Sequence, residues 1–386
     1  MQILATKLSM PPLRSKMVVR PRLLQKLSLG LERGFALISA PAGYGKSTLL
    51  SAWLNRVEFP TTWLSLDDGD NDPVRFLTYL AAALDKIEPS LGETLEIRGQ
   101  SSPLPDIESL LTPLVNALAD LDRPVCLALD DYHVIQDQRI HQMISILLEH
   151  RPAALHVVIA TRADPPLPLA KLRARSAMLE LRQADLCFTP QEAADFLNHT
   201  MGLQISTEDA ARITARTEGW IAGLQMAALS MQNTEDISGF IATLSGSHHF
   251  IFDYLLEEIL RQQPPEIRRF LLYTSILDHL TPGLCDAMLE EENNASAAQP
   301  SSDILKKLDQ ANLFILPLDH ERRWYRYHHL FADLLRLMLE QQQPGISAEL
   351  HRRACRWYEA QGMLPEALKH AIASGDMQRV TQVISA

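Results

Sequence analysis

The segment APAGYGKST, residues 40–48, constrains the fold more than any other part of the sequence. It follows the phosphate-binding pattern G-x-x-x-x-G-K-[ST], with Ala40 at the position of the first glycine. The apolar run GFALISA leads into it and predicts a buried strand, and STLLSAWL continues it and predicts a helix. Strand, glycine-rich turn and helix are the elements that this motif requires. The sequence therefore predicts an α/β nucleotide-binding domain.

Each residue type in this loop has a chemical use. Gly43 and Gly45 allow backbone N–H groups to close around a phosphate, and the helix N-terminus adds its partial positive charge. We expect Lys46 to reach the β- and γ-phosphates of a nucleotide and the Ser47 hydroxyl to ligate Mg²⁺. A chance match on a glycine turn is the alternative, and the flanking strand and helix argue against it.

A second nucleotide-site pattern lies at residues 125–131, VCLALDD. Its apolar part predicts a central parallel strand, which is buried on both faces. We expect Asp130, at the carboxyl end, to hold Mg²⁺ through water, and Asp131 to orient or deprotonate the attacking water. A pair of solvated loop carboxylates is the alternative, which the phosphate-binding loop in the same chain makes the weaker interpretation.

Two further apolar runs predict strands. LHVVIA, residues 155–160, ends at Thr161 and Arg162. Arg162 is the predicted γ-phosphate sensor, with a surface salt bridge as the alternative. TWLSL, residues 62–66, is followed by the acidic turn DDGDND, which lacks the glutamate that a calcium loop carries at its twelfth position. Strands that alternate with helices predict a parallel sheet with helices on both faces.

The sequence becomes helical from Thr189 onward. TPQE, residues 189–192, is a capping box with proline at the first helical position. STED, residues 206–209, predicts the start of another helix, and a further one is expected to begin at Gly219 and Trp220. Because no strand alternation interrupts residues 190–262, this region is predicted to be a small helical bundle.

The next region is predicted to combine helices with one hairpin. The runs LFIL, residues 313–316, and WYRY, residues 324–327, read as its two strands, which suits a winged helix. Its surroundings include the acidic run at 290–292, so we expect an internal clamp rather than a DNA contact. Residues 290–303 have the small polar composition that is typical of a mobile loop.

The last segment has small and aromatic residues at helical spacing, and GMLPEA at 362–367 resembles a turn between paired repeat helices. One and a half such units cannot bury their faces alone, so the segment is expected to begin an α-helical arm. The predicted domains are therefore a P-loop nucleotide-binding domain at 1–189, a helical domain at 190–262, a winged-helix domain at 263–345 and the start of the arm at 346–386.

Composition excludes some classes of function. The 36 basic and 47 acidic residues give a net charge of −11, which argues against a grip on a nucleic acid backbone. No apolar run is long enough for a membrane span, and the N-terminus lacks the apolar core of a signal peptide, so a cytoplasmic protein is expected. The four scattered cysteines are expected to be free buried thiols.

These motifs occur together in one known group of proteins. The chain resembles the MalT-type, LuxR-class transcriptional activators of the STAND group of signal-transducing P-loop ATPases. The segments that carry the resemblance, in order, are KLSMPP at 7–12, VVRPRLLQKL at 18–27, SAPAGYGKSTLLSAW at 39–53, WLSLDDGDNDPVRFLTYLAAAL at 63–84, LALDDYHVI at 127–135, ATRADPPLPLAKLRARSAMLEL at 160–181, TEGWIAGLQMAALS at 217–230, YHHLFADLL at 327–335 and WYEAQGMLPEALKHAIASGD at 357–376.

The resemblance implies roles for particular residues. His328 is expected to hydrogen-bond the β-phosphate of ADP, with its neighbour His329 as the alternative. Leu224 lies where related switches carry a Gly-x-Pro contact to adenine, although Gln225 replaces the proline here. The segment along the adenine comprises Val18, Val19 and Arg20, the phosphate loop comprises Ala42, Gly43, Tyr44, Gly45, Lys46, Ser47 and Thr48, the Mg²⁺ and water positions are Ser47, Asp130 and Asp131, and the sensor is Arg162.

The resemblance also implies a regulatory function and its partners. ADP would hold a closed monomer, ATP with a small-molecule inducer would favour self-association, and slow hydrolysis would reset the switch. The inducer is expected to bind mainly outside this sequence, an inhibitory protein is a further possible partner, and DNA is expected to bind only through a C-terminal domain that the sequence lacks. An N-terminal portion of a larger regulator is thus expected. A P-loop small-molecule kinase or phosphotransferase, and a scaffold with a structural nucleotide, are the alternatives.

Overall fold

The computed structural model describes residues 3–13, 16–95, 106–232, 237–246, 248–290 and 299–385. Most of the loop predicted at 290–303 lies outside the described residues. The chain forms two compact units, residues 1–187 and residues 188–386. The finer domain boundaries stay predictions.

The first unit is built on a five-stranded parallel sheet with the strand order β2-β3-β4-β1-β5. Each strand pairs in parallel with its neighbours, which confirms the predicted sheet. β5 is a strand that the sequence analysis did not identify. The strands are β1 Phe35–Ser39, β2 Thr61–Ser65, β3 Val125–Asp130, β4 Leu155–Thr161 and β5 Leu179–Arg182.

Eight helices accompany the sheet in the described part of this unit. Several begin where an aspartate accepts a hydrogen bond from a first-turn N–H: Asp72 from Arg75 at 2.8 Å, and Asp137 from Arg139 at 2.8 Å. The helices are α1 Pro21–Gly30, α2 Lys46–Leu54, α3 Pro73–Asp85, α4 Pro89–Glu93, α5 Ile107–Ala119, α6 Gln138–Glu149, α7 Leu169–Ala174 and α8 Gln183–Leu186.

The core of the first unit lies between the sheet and these helices. Every residue of β1 and β3 is buried, so both faces of these strands are covered, as their apolar runs predict. On one face, Leu37, Leu127 and Val157 from three neighbouring strands join a cluster with Phe76 and Leu80 of α3. This packing fixes the strands whose carboxyl ends carry the sequence motifs.

Basic side chains hold the acidic turn that follows β2. Lys7 forms an ion pair with Asp70 and lies 3.0 Å from Asp67, and both Lys7 and Asp70 are buried. Arg75 approaches Asp70 from α3, with 3.1 Å between Nε and Oδ1. Lys7 also lies over the ring of Tyr79, 4.5 Å from its centroid. The N-terminal segment is therefore fastened to this turn by charge.

We expect Asp70→Asn to lower the free energy of unfolding by about 3 kcal/mol, because the buried Lys7 ammonium loses its main carboxylate partner. Urea unfolding followed by tryptophan fluorescence measures this change. Asp68→Asn, at an exposed position of the same turn, is the control and should stay within about 0.5 kcal/mol of the unmodified protein. Equal unfolding midpoints for the two variants would contradict the importance of the ion pair.

The second unit is helical in its described residues apart from one hairpin. The capping box predicted at Thr189 is confirmed, since its hydroxyl accepts from the Glu192 N–H and the Glu192 carboxylate accepts from the Thr189 N–H. Its helices are α9 Pro190–Asp195, α10 Thr207–Thr217, α11 Ile221–Met231, α12 Ile237–Thr243, α13 His249–Leu255, α14 Pro265–Thr274, α15 Pro282–Leu289, α16 Ser301–Gln310, α17 His329–Gln342, α18 Ile346–Ala360, α19 Leu364–Ala373 and α20 Met377–Ser385.

The hairpin supports the predicted winged helix. β6, Ile315–Pro317, pairs antiparallel with β7, Tyr325–Tyr327, and Leu280 adds an isolated bridge to Tyr325. The first strand was predicted two residues too early, because Phe314 has a left-handed backbone with φ of 52° and cannot continue a strand. After α17, the helices α18, α19 and α20 pack successively, as expected for the start of a helical arm.

The cysteines and the helix lengths bear on two further predictions. All four cysteines are free, and Cys126, Cys285 and Cys355 are buried. Cys187 is only half-buried, at the end of the first unit, so the prediction of four buried thiols is wrong at this position. Every described helix is too short or too polar to span a bilayer.

Candidate nucleotide site

Three sequence motifs meet at one edge of the parallel sheet. β4 lies between β3 and β1, and Ser39 of β1 is level with Thr161 of β4. Because parallel strands present their carboxyl ends at the same edge, the phosphate loop after β1, Asp130 at the end of β3 and Arg162 after β4 all lie there. The topology thus brings Ala42 and Arg162, which are 120 positions apart in the sequence, to the same edge of the sheet.

The phosphate loop has the backbone that its glycines predict. Gly43 and Gly45 have φ of 76° and 74°, a region that a residue with a Cβ adopts only with strain. α2 begins at Lys46, directly after Gly45. Ala40 is buried, is not among the residues with positive φ, and donates its N–H to the Thr161 carbonyl at 3.3 Å. Alanine fits here because its N–H continues the hydrogen bonding of β1 to β4 and the position needs no positive φ.

Lys46 lies across the inside of the loop. Its Nζ donates to the carbonyls of Ala40 and Pro41, at 2.8 Å each, and the side chain is buried. Burial and the neighbouring charge of Arg162 lower the pKa of Lys46 to about 8. Two cationic side chains thus lie near one another at the strand ends. Such a pair suits an anionic ligand, whose charge offsets their repulsion.

Ser47 and Asp130 connect the phosphate loop to β3. The Ser47 hydroxyl donates to Asp130 Oδ1 at 3.0 Å. Burial and the adjacent Asp131 raise the pKa of Asp130 to about 6. One hydroxyl and one carboxylate are oxygen ligands of the kind Mg²⁺ prefers, and they leave coordination positions for water and phosphate oxygens. Within the described ranges, no three His, Cys, Asp or Glu side chains form a metal-binding group. The donor set therefore fits Mg²⁺ held jointly with a nucleotide.

Asp131 differs from its neighbour in both backbone and exposure. Its φ of 56° is left-handed, and its side chain is 44% exposed. His133 lies beside it, with 3.7 Å between Nδ1 and Asp131 Oδ1. Burial, then the charges of Arg162 and Lys46, lower the pKa of His133 to about 3, so this ring is neutral and lies near both cations. The sequence analysis missed His133, although it follows the two aspartates in DDYH.

The residues predicted along the adenine have other contacts in the first unit. The Arg20 guanidinium is buried and donates to the carbonyls of Leu186 and Cys187, at 2.9 Å each. Tyr44, which was predicted in the phosphate loop, is fully buried, and its hydroxyl accepts from Gln183 Nε2 at 2.8 Å. Val18 is half-buried and Val19 is exposed.

Leu224 and His328 lie in the second unit. The Leu224 side chain is fully buried in α11. His328 is fully buried just before α17, with its Nε2 3.0 Å from the Thr217 carbonyl and its Nδ1 without a hydrogen-bond partner. Burial lowers the pKa of His328 to about 4, so the neutral ring donates to Thr217. His329, the alternative, is exposed and lies beside Glu218. Nucleotide contacts by these residues stay predictions.

The sheet, the phosphate loop and the following winged helix define a P-loop ATPase fold. A Walker-type ATPase of Pyrococcus abyssi shares this fold, with a TM-score of 0.55 and 14% identity over 85% of this chain and 99% of that one. Residues 256–346 match the family model described as the MalT winged helix domain.

Curated proteins match nearly the whole chain at higher sequence identity. The chain is 34% identical over 386 residues to the HTH-type transcriptional regulator MalT of Klebsiella pneumoniae, covering 99% of this chain and 42% of that protein. It is 33% identical over 375 residues to the serine/threonine-protein kinase PknK of Mycobacterium tuberculosis, covering 95% of this chain and 33% of that protein. These matches confirm the resemblance to MalT-type proteins, and the chain spans less than half the length of these curated relatives.

We expect Lys46→Ala to weaken the binding of ADP and ATP about 10- to 100-fold, because it removes a charged hydrogen bond worth about 1.5–3 kcal/mol. Isothermal titration calorimetry measures the affinity. Lys171→Ala is the matched control, since Lys171 is an exposed lysine of α7 paired with Glu149, and its affinity should not change. An unaltered affinity in Lys46→Ala would remove this lysine from the site.

Proposed function

We propose that the chain is the ATP- and ADP-dependent switch of a transcriptional regulator. The observation that carries the proposal is the convergence of Lys46, Asp130, Asp131 and Arg162 at the carboxyl edge of one parallel sheet. The similarity to MalT proteins, which are named as transcriptional regulators, supports regulation of transcription as the output. The match of residues 256–346 to the MalT winged helix domain supports the same output.

The two nucleotide states would use different residues. ATP offers a γ-phosphate to Lys46 and Arg162, whereas ADP lacks that group, so only ATP engages both cations. His328 is proposed to donate to the β-phosphate of ADP in place of the Thr217 carbonyl, and thereby to favour the resting form. A ligand shifts an equilibrium only through its different affinity for the two states, and the γ-phosphate supplies this difference. The ATP form, together with an inducer, is proposed to self-associate.

Hydrolysis of ATP would return the switch to its resting form. Asp131 is the proposed base, because it is the exposed carboxylate beside the buried Asp130. It would accept a proton from water as the water oxygen bonds to the γ-phosphorus and the bond to the bridging oxygen breaks, which releases ADP and phosphate. Mg²⁺, when bound at Ser47 and Asp130, would supply positive charge to the phosphate oxygens. Slow turnover is expected of such a reset.

The proposal also includes three partners other than the nucleotide: an inducer, an inhibitory protein and DNA. A small-molecule inducer would bind mainly in a region beyond these residues, and an inhibitory protein would stabilise the resting form. Contact with DNA would come from a separate domain, because the net charge of −11 does not favour a phosphate backbone.

We expect the protein, purified without added nucleotide, to release about one equivalent of ADP when it is denatured. Anion-exchange chromatography of the supernatant identifies and quantifies the nucleotide. The Lys46→Ala variant, prepared in parallel, should release much less. A protein that is empty, binds ATP quickly and turns it over at a metabolic rate without an effector would contradict the switch.

We expect Asp131→Asn to keep ATP affinity and to slow hydrolysis about 10²- to 10⁴-fold, because an amide cannot accept the proton of the attacking water. Single-turnover hydrolysis of radiolabelled ATP separates this chemical step from binding. Asp122→Asn is the control, since Asp122 is exposed in the loop before β3, at the opposite end of the same strand. Normal hydrolysis in Asp131→Asn would exclude Asp131 as the base.

A further inference from the structure

The second unit contains a groove whose described lining residues all differ from those assigned to the nucleotide. Its volume of about 560 Å³ is within the range of about 300–1,000 Å³ that is usual for small-molecule sites. α14 lines it from Pro265 to Tyr273, a stretch of about 12 Å along a helix, and α17 adds Met338 and Gln342. The groove therefore has the size of a site for a small organic molecule.

The charge of this groove is opposite to that of the whole chain. Within the described part of the chain, its charged lining residues are Arg261, Arg268 and Arg269, and no aspartate or glutamate lines it. The chain itself has 47 acidic and 36 basic residues. A concave surface that carries charge of one sign attracts ligands of the other sign. The groove is therefore suited to an anion.

Two of these arginines can turn to a ligand at little cost. Arg268 is exposed, and its side chain makes no hydrogen bond or ion pair with any other residue that the structure describes. Arg261 lies near the exposed Glu257, with 3.7 Å between Nη1 and Oε1, and such a surface pair contributes little to stability. A guanidinium presents its N–H groups as a planar fork, so one arginine can donate two bonds to a carboxylate or a phosphate.

The third arginine belongs to a contact that joins the two helices of the groove. The Arg269 guanidinium lies over the Tyr273 ring, 5.1 Å from its centroid. The Tyr273 hydroxyl donates to Gln343 Oε1 at 2.8 Å. Because Tyr273 belongs to α14 and Gln343 directly follows α17, this bond holds the helices together before any ligand binds. Such preorganisation lowers the entropy cost of binding.

The groove also contains apolar surface. Leu260 and Leu272 are buried, Leu256 and Met338 are half-buried, and all four line it. Leu256 and Leu260 are the ends of a π-helical turn, a distortion that is frequent at functional sites. Inorganic phosphate would leave this apolar surface in contact with water, whereas a ligand with an apolar body would cover it. The lining therefore favours a ligand that combines an anionic head with an apolar body.

The start of α14 gives such a ligand a direction. α14 begins at Pro265, no side chain caps it, and its N-terminus carries the partial positive charge of a helix end. Arg268 is three positions further along, on the same side of the helix, and both residues line the groove. The exposed Glu266 between them does not line it. The anionic head is thus favoured at this end, with the apolar body extending along α14 toward Leu272.

We propose that this groove binds a small organic anion, in which a carboxylate or phosphate is attached to an apolar body. The anion accepts hydrogen bonds from Arg268 and Arg261, and the body covers Leu260, Leu272 and Met338. The site does not depend on the proposed nucleotide switch, because α14, the end of α17 and the π-helical turn form it. A ligand that contacts these three elements at once stabilises the arrangement in which they form the groove.

The test uses 2-naphthylacetate and 2-naphthyl phosphate as probes of the protein saturated with ADP and Mg²⁺. Saturation-transfer difference NMR titrations measure their dissociation constants. We expect at least one probe to bind with a constant of about 1 mM or below, a usual value for ligands of this size. The neutral 2-naphthylacetamide should bind at least about 10-fold more weakly, because charged hydrogen bonds to the guanidinium groups are lost. Inorganic phosphate should not displace the probe at equal concentration.

Matched variants locate the site. Arg268→Gln should weaken the probe about 10-fold or more, whereas Arg356→Gln, which removes an exposed arginine of α18 outside the groove, should leave the affinity unchanged. Met338→Gln should weaken it several-fold, because a polar group replaces apolar surface. Met377→Gln, at an exposed position of α20, is its control. Lys46→Ala should bind the probe as the unmodified protein does.

Each outcome decides the proposal. Absence of binding by both probes, equal affinity for the neutral amide, displacement by inorganic phosphate or an unaltered affinity in Arg268→Gln overturns it. An equal loss in Arg356→Gln, or a loss in Lys46→Ala, also overturns it, because the probe then responds to net charge or occupies the nucleotide site. Selective weakening in Arg268→Gln and Met338→Gln, with an unchanged thermal midpoint in the arginine variant, supports it.

A second measurement places the probe without relying on affinities. In ¹³C-methyl-methionine NMR spectra, the Met338 signal is identified by its absence in Met338→Gln. The naphthalene ring current should shift the Met338 methyl signal more than the signal of the exposed Met377. A Met338 signal that stays in place while another methionine shifts would put the probe elsewhere and overturn the proposal.

Discussion

The parallel pairing of β3 and β1 on the two sides of β4 is the constraint on which the site depends. It sets the phosphate loop, the two aspartates and Arg162 on one edge, although their sequence positions are far apart. The hydrogen bond between Ser47 and Asp130 then ties the start of α2 to the end of β3. A shift of β4 would separate the motifs even though each would keep its local conformation.

Buried charge gives this edge its chemical character. The protein carries a net charge of −11, yet at this edge burial and the neighbouring Arg162 cation lower the pKa of Lys46. The Lys46 ammonium is satisfied by loop carbonyls and Ser47 by Asp130, so a nucleotide would exchange existing hydrogen bonds for stronger charged ones.

An ion pair between Glu218 and Arg326 connects two parts of the second unit. Burial alone would raise the pKa of Glu218, but the Arg326 guanidinium and nearby groups lower it to about 2. Arg326 makes two bonds to the carboxylate, at 2.9 and 2.7 Å, and the backbone N–H of His329 adds a third. Glu218 directly follows α10, whereas Arg326 lies in β7, so this contact joins the helical part of the unit to its hairpin. His328 is placed by the same junction.

The sequence by itself determined the elements whose signals are local. The phosphate loop, the apolar strands β1 to β4, the Thr189 capping box and the positions of Asp130 and Arg162 follow from short runs of residues. Tertiary structure alone decided that β5 joins the sheet and that the hairpin begins after the left-handed Phe314. It also decided that Asn71 holds the loop of His133 and that Lys7 pairs with Asp70. These contacts join residues more than 60 positions apart, and no local pattern encodes which distant side chain will lie nearby.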